Sequence, residues 1–200
     1  MKAIILAGGQ SVRFRQPKAF ASIQGTLFYQ RLIHTLEATN MFSEIIISSN
    51  AQLADQFENV RVITDSEAHR DKGPLAGIYS VMEQDDADLY FVISVDTPMV
   101  TQKAISHLYQ FMVANLIESQ LDIAGFASDG YPIPTIAFYH RNVMPIIESV
   151  LASDDLSMKH VYKQVSSKWL DVETIEQPKQ WYRNINYPSD LTKLEHELAE

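Results

Sequence analysis

The sequence predicts an α/β protein of Rossmann type, with three layers: a mostly parallel, mixed sheet and helices on both of its faces. Three observations carry this. Apolar runs over residues 3–7, 44–49, 60–64 and 89–95 are rich in β-branched residues and nearly uninterrupted, the pattern of strands covered on both faces. Between them lie stretches whose apolar residues recur at helical spacing. Strands and helices alternate in this way over the first 116 residues, which is the connectivity a parallel sheet requires.

In order, Ala3 to Ala7 reads as a strand that Gly8-Gly9 ends. Phe28, Leu32 and Leu36, with Tyr29 and Ile33 beside them, predict an amphipathic helix from Thr26 to Thr39. Glu44 to Ser49 and Val60 to Thr64 are the next strands. Gly73-Pro74-Leu75-Ala76-Gly77 opens a helix that keeps Leu75, Ile78, Tyr79 and Met82 in phase. Leu89 to Val95, the most apolar strand, stops at Asp96-Thr97-Pro98. Thr101 caps a helix striped by Ile105, Leu108, Met112 and Leu116. Strands at Leu121–Ala127 and Thr135–Tyr139 flank a turn signal, Ser128-Asp129-Gly130-Tyr131-Pro132. Helices over Asn142–Ala152 and Ser157–Gln164, a strand at Lys168–Val172 and a helix from Pro188 to Leu198 complete the chain.

At 200 residues and 46% hydrophobic composition the chain can bury the core of one domain, and no linker or repeat interrupts it. It has no cysteine, so disulfides, thiolate nucleophiles and Cys-type zinc sites are excluded. No apolar run reaches the length of a membrane span, and the opening strand pattern ends too soon for a signal peptide, so a cytoplasmic protein is expected. The net charge of −9 argues against nucleic-acid and anionic-membrane binding. Charge is nonetheless uneven. Met1 to Leu36 holds five Lys/Arg and no acid, which suggests a small phosphorylated ligand.

In open α/β sheets, ligands gather beyond the carboxyl ends of the strands. Four polar features fall there: Gly8-Gly9, Ser48 to Asn50, Asp65 and Asp96. The glycine pair, expected to turn at positive φ and to present N–H groups, would cradle phosphate with Arg13 and Lys18 beside it. Asp96 is placed to bind a hard divalent cation together with substrate phosphates. Either aspartate could instead close a turn or cap a helix. Spacing excludes a P-loop, a Gly-x-Gly-x-x-Gly dinucleotide loop, a Gly-x-Ser-x-Gly elbow and paired metal-binding histidines. Phe111-Met112 and Trp181-Tyr182 read as core or interface material.

Several segments together resemble the nucleotidyltransferases with a Leu-Ala-Gly-Gly loop, and among these the molybdenum cofactor guanylyltransferase branch. They are Leu6-Ala7-Gly8-Gly9 with Ser11, Arg13 and Lys18; Asp65; Gly73 to Gly77; Asp96-Thr97-Pro98; Pro134-Thr135-Ile136-Ala137; and Asn184-Ile185-Asn186 before Pro188. The resemblance implies a single nucleotidyltransferase domain, its nucleotide-binding half at about 1–116 and its acceptor-binding half at about 117–200. It implies transfer of GMP from GTP to the terminal phosphate of molybdenum-loaded molybdopterin, with Mg²⁺ and with molybdoenzyme or cofactor-delivery proteins as partners. The nucleotide would meet Leu6, Ala7, Gly8, Gly9, Lys18, Ser48, Asp65, Gly73, Gly77 and Asp96. Arg13, Lys18 and Asp96 would be catalytic, Asp96 and Asn186 would hold the metal, and Arg141, Lys159 and Lys163 would meet the acceptor. A CTP-using relative and a non-catalytic nucleotide-binding module are the competing readings.

Three positions depart from that pattern. Arg15 stands where members commonly carry glycine, Ser48 where an asparagine is frequent, with Asn50 near enough to replace it, and Tyr187 where a threonine usually caps the last helix.

Overall fold

The computed structural model describes residues 1–9, 11–176 and 181–200; Gln10, inside the predicted cradle, lies outside the described residues. In chain order the elements are β1 (Lys2–Leu6), β2 (Ser22–Ile23), β3 (Thr26–Leu27), α1 (Phe28–Ala38), β4 (Ile45–Ser49), β5 (Arg61–Thr64), α2 (Pro74–Gln84) and β6 (Leu89–Ser94). Then come α3 (Gln102–Ser119), β7 (Ile123–Ser128), β8 (Tyr131–His140), α4 (Met144–Leu151), α5 (Met158–Tyr162), β9 (Ser167–Asp171) and α6 (Pro188–Ala199). A seven-stranded sheet runs β5-β4-β1-β6-β8-β7-β9, and β8 alone is antiparallel to its neighbours.

Alternation along β1 shows why both faces are covered. Ala3 and Ile5 point into one core with α1, α3 and α6, while Ile4 and Leu6 point into another with α2, α4 and α5. Strands buried on both sides gain apolar burial twice, at about 25 cal/mol per Å². This accounts for their unbroken apolar sequence. Close packing is enforced where side chains are missing. A Cβ on Gly77 would lie 2.5 Å from Ser48 Oγ and 3.0 Å from Leu6, so α2 approaches β1 and β4 only because residue 77 is glycine.

Three predicted boundaries are corrected. The helix expected from Thr26 begins at Phe28, because Gln24 (φ 51°) and Gly25 (φ 81°) make a two-residue turn of positive φ and send Thr26-Leu27 back against Ser22-Ile23. The turn expected over 128–132 contracts to Asp129-Gly130, and Tyr131 to Pro134 are strand. Two prolines are tolerated there because pairing with β6 ends at Ile136, leaving that part of β8 bonded on one side only. The stripe on α3 is buried through Met112, but Leu116, in the last turn of the helix, is exposed. Among the described residues, no helix is long and apolar enough to cross a membrane.

Candidate active site

The loop after β1 leaves the core at Gly8-Gly9, both exposed. Neither takes a positive φ, contrary to expectation. Their contribution is openness, since a Cβ on Gly9 would meet nothing within 4 Å and the main chain is uncovered. The left-handed conformation falls instead on Arg15, at φ 61°. Phe14 explains the geometry. Its ring is buried edge-on against Phe28, 6.2 Å between centroids, and plugs the loop into the core while Arg13 and Arg15 project to either side. The loop closes where Ser11 Oγ accepts from the Lys18 main-chain N–H at 3.0 Å.

Lys18 thereby reaches across to the end of β6. Its Nζ is 3.1 Å from Asp96 Oδ2 and donates to Asn186 Oδ1 at 2.7 Å. The Asp96 turn is fastened to the C-terminal segment twice more. The Ile185 N–H donates to Asp96 O at 2.7 Å, and Thr97 Oγ1 donates to Asn184 Oδ1 at 3.0 Å. The result is a cleft of about 100 Å³ whose walls include Ala7, Gly9, Ser11, Lys18, Val95 and Asp96. Arg13, exposed on the same loop, has its guanidinium carbon 5.7 Å from the centre of the Tyr187 ring, and Tyr187 directly follows the Asn186 that receives Lys18.

Asp96 Oδ1 is buried and has no hydrogen-bond partner among the described residues. A buried carboxylate oxygen without a donor is costly, and a cation would satisfy it. No group of three or more His, Asp or Glu side chains among the described residues could cage a metal. A carboxylate and an amide oxygen beside open space suit Mg²⁺, which takes few protein ligands and completes its shell with water and phosphate. Asp96 and Asn186 fit that ion.

Asp65 lies at the end of β5. Burial raises its carboxyl pKa, against the opposing effects of the Ser80 hydroxyl and of His69. Asp65 Oδ1, His69 Nδ1 and Ser80 Oγ are buried and meet no hydrogen-bond criterion among the described residues. His69 stands edge-on to Tyr79 with ring centres 5.1 Å apart. Gly73, at φ 75° and ψ −162°, turns the chain into α2 in a conformation only glycine adopts freely.

Other expected contacts are not brought to the cleft. Ser48 is buried against Gly77 in the packing of α2 on the sheet; Asn50, whose Nδ2 donates to Gly8 O at 3.4 Å, borders the loop. Arg141 is at the opposite edge. It follows β8, and because that strand is antiparallel its end lies where the parallel strands begin, with Nη1 donating to Asp85 O and to Tyr90 Oη. Lys159, in the first turn of α5, and Lys163, at its C-cap toward the start of β9, are both exposed. Sequence reasoning assigned no part to Phe14, Ile185 or the Tyr187 ring; the Asn-x-Asn-x-Pro spacing was the available signal for the last two.

The family model for the MobA-like NTP transferase domain matches residues 3–169. The chain belongs to this family. Its fold is also that of molybdopterin-guanine dinucleotide biosynthesis protein A from Archaeoglobus fulgidus (TM-score 0.81, 21% identity, 100% of this chain and 99% of that one). It likewise resembles 4-diphosphocytidyl-2C-methyl-D-erythritol synthase from Anaerococcus prevotii (TM-score 0.72, 13% identity, 100% and 96%). A CMP:2-keto-3-deoxy-manno-octonic acid synthetase complexed with CTP matches at TM-score 0.70 and 16% identity over 98% and 97% of the two chains. The family match ends within β9, so the Asn184–Tyr187 segment that bonds to Lys18, Asp96 and Thr97 lies beyond the matched residues.

Proposed function

We propose that the chain transfers GMP from GTP to the terminal phosphate of molybdenum-loaded molybdopterin, forming molybdopterin guanine dinucleotide and releasing pyrophosphate. The observation that carries the reading is the unpartnered Asp96 Oδ1 in a cleft shared with Lys18 and Asn186, on a nucleotidyltransferase fold. An oxygen of the acceptor phosphate attacks the α-phosphorus, the bond from that phosphorus to the bridging oxygen breaks, and the electron pair leaves with pyrophosphate. Attacking and attacked groups are both anionic, so the barrier is lowered mainly by holding them in line and neutralising charge. Lys18 and Arg13 supply fixed cations for the triphosphate. Asp96 and Asn186 would hold Mg²⁺, which would supply further positive charge to the triphosphate. The exposed main chain at Gly8-Gly9 lets the nucleotide approach, and Asp65 and Gly73 border the nucleoside. On this reading about the first 116 residues serve the nucleotide, joined by the Asn184–Tyr187 segment, and the rest of the chain serves the acceptor.

A structural neighbour complexed with CTP and another named for a diphosphocytidyl compound supply a second reading, a cytidylyltransferase. A matrix of GTP, CTP, ATP and UTP against molybdopterin and sugar-alcohol phosphates, scored by pyrophosphate released, separates the two. Turnover confined to GTP with molybdopterin is expected. Turnover confined to CTP would replace the guanylyl assignment.

A further inference from the structure

We propose that Tyr187 is a positioning residue for Arg13, holding its guanidinium over the cleft for an incoming triphosphate; this rests on the reading of Arg13 as a phosphate ligand. Arg13 is on the exposed part of the loop, and among the described residues no carboxylate pairs with it. Its one described contact is the Tyr187 ring, 5.7 Å from guanidinium carbon to ring centre, within the range of a cation–π interaction. The choice of partner matters chemically. A carboxylate would orient the guanidinium but neutralise it and occupy its N–H groups. A ring face orients it and leaves both its charge and its in-plane donors for an anion.

The Tyr187 side chain lies outside the buried core. Its residue is 46% exposed. At the start of α6 the N–H groups of Asn186 and of Tyr187 each donate to the Asp190 carboxylate, Oδ2, at 2.9 Å. The ring's place relative to the cleft is set by the segment before it. Ile185 N–H is bonded to the Asp96 carbonyl at 2.7 Å, and Asn186 holds Lys18. One tetrapeptide, Asn184 to Tyr187, thus fixes the metal-binding turn, the first cation and, through the ring, the second. A threonine at 187 would keep the main-chain bonds to Asp190 but offer Arg13 no face.

The test is calorimetric binding of tripolyphosphate, and of GTP, each with Mg²⁺, to the wild type, Tyr187→Phe, Tyr187→Leu, Arg13→Ala and Arg13→Ala/Tyr187→Leu, with melting temperatures to confirm folding. Tyr187→Leu should weaken tripolyphosphate binding by about two- to fivefold, Tyr187→Phe should bind like the wild type, and Tyr187→Leu should change nothing once Arg13 is alanine. An equal loss in the Arg13→Ala background, a phenylalanine variant as weak as leucine, or a wild type that ignores tripolyphosphate would overturn the proposal. Tyr187-dependent tripolyphosphate binding without preference for GTP over CTP would support it and defeat the guanine assignment instead.

Discussion

Lys18 Nζ and Asp96 Oδ2 stand 3.1 Å apart across 78 residues of sequence, and the same ammonium donates to Asn186. The lysine therefore occupies the mouth of the oxygen pair assigned to Mg²⁺. On the proposed reading, a metal held by Asp96 and Asn186 would compete with the Lys18 ammonium for the carboxylate, and a triphosphate would draw the lysine onto its own oxygens.

That competition separates the two residues experimentally. Asp96→Asn, which keeps the shape and removes the charge, should lower pyrophosphate release by about a hundredfold or more. Lys18→Met should weaken triphosphate binding by roughly ten- to a hundredfold, the worth of a hydrogen bond to a charged group. In the absence of nucleotide it should also tighten Mn²⁺ binding, read by the paramagnetic signal of the free ion. Unchanged turnover in Asp96→Asn removes Asp96 from the metal role, and weaker Mn²⁺ binding in Lys18→Met would show that the lysine does not compete.

Arg15 has a physical account in its backbone. At φ 61° it occupies a region that costs a side-chain-bearing residue about 1–2 kcal/mol and glycine almost nothing. Glycine returns part of that gain through a more flexible unfolded chain. Arg15→Gly should therefore stabilise by about 0.5–1 kcal/mol, a rise of roughly 1–4 °C in melting temperature, while Arg15→Val should destabilise. A lower melting temperature for the glycine variant would show that the arginine side chain outweighs its strained backbone.

At the far edge of the sheet, Asp85 is 3% exposed and receives Lys2 at 2.6 Å, Arg61 at 3.2 Å, Tyr90 Oη at 2.9 Å and the Ala87 N–H at 3.1 Å. Burial pushes its pKa up, but Lys2, the Ala87 N–H and Tyr90 together bring it down to about 2. Folding therefore favours the ionised form. The stability this contributes is present above the ordinary carboxyl range near pH 4 and is lost as pH falls toward about 2. Asp85→Asn should cost about 3 kcal/mol at pH 7, roughly 6–12 °C in melting temperature. Its stability should then fall less steeply than the wild type's between pH 4 and pH 2. Parallel acid-unfolding curves would contradict this assignment.

These relationships differ in how far they could be read from the chain. Gly8-Gly9, Asp65 and Asp96 each follow an apolar run. In a parallel sheet, every run ends on the same edge, so their convergence is already contained in the pattern of strand and helix. Arg141 breaks the argument because β8 alone runs the other way, and a reversal of one strand leaves no periodic trace. Ser48 and Gly77 pack against each other for a related reason. Position after a strand says which edge a residue is near, but the face its side chain takes, here toward α2, depends on register.

By itself the sequence determined the layered α/β fold, the loop-and-aspartate arrangement at one edge of the sheet and the family, because periodicity and local turn chemistry act over a few residues and are written in order. Tertiary structure alone decided which partners those residues meet: Lys18 with Asp96 and Asn186, Arg13 with Tyr187, Asp85 with Lys2 and Arg61. Each of these joins segments far apart in the chain, and such a contact exists only once packing of the intervening core has fixed both ends. Even the exception at Arg15 follows this division. Its departure is visible in the sequence, but the positive φ that gives it meaning is imposed by Phe14 and Lys18, which hold the loop at both sides.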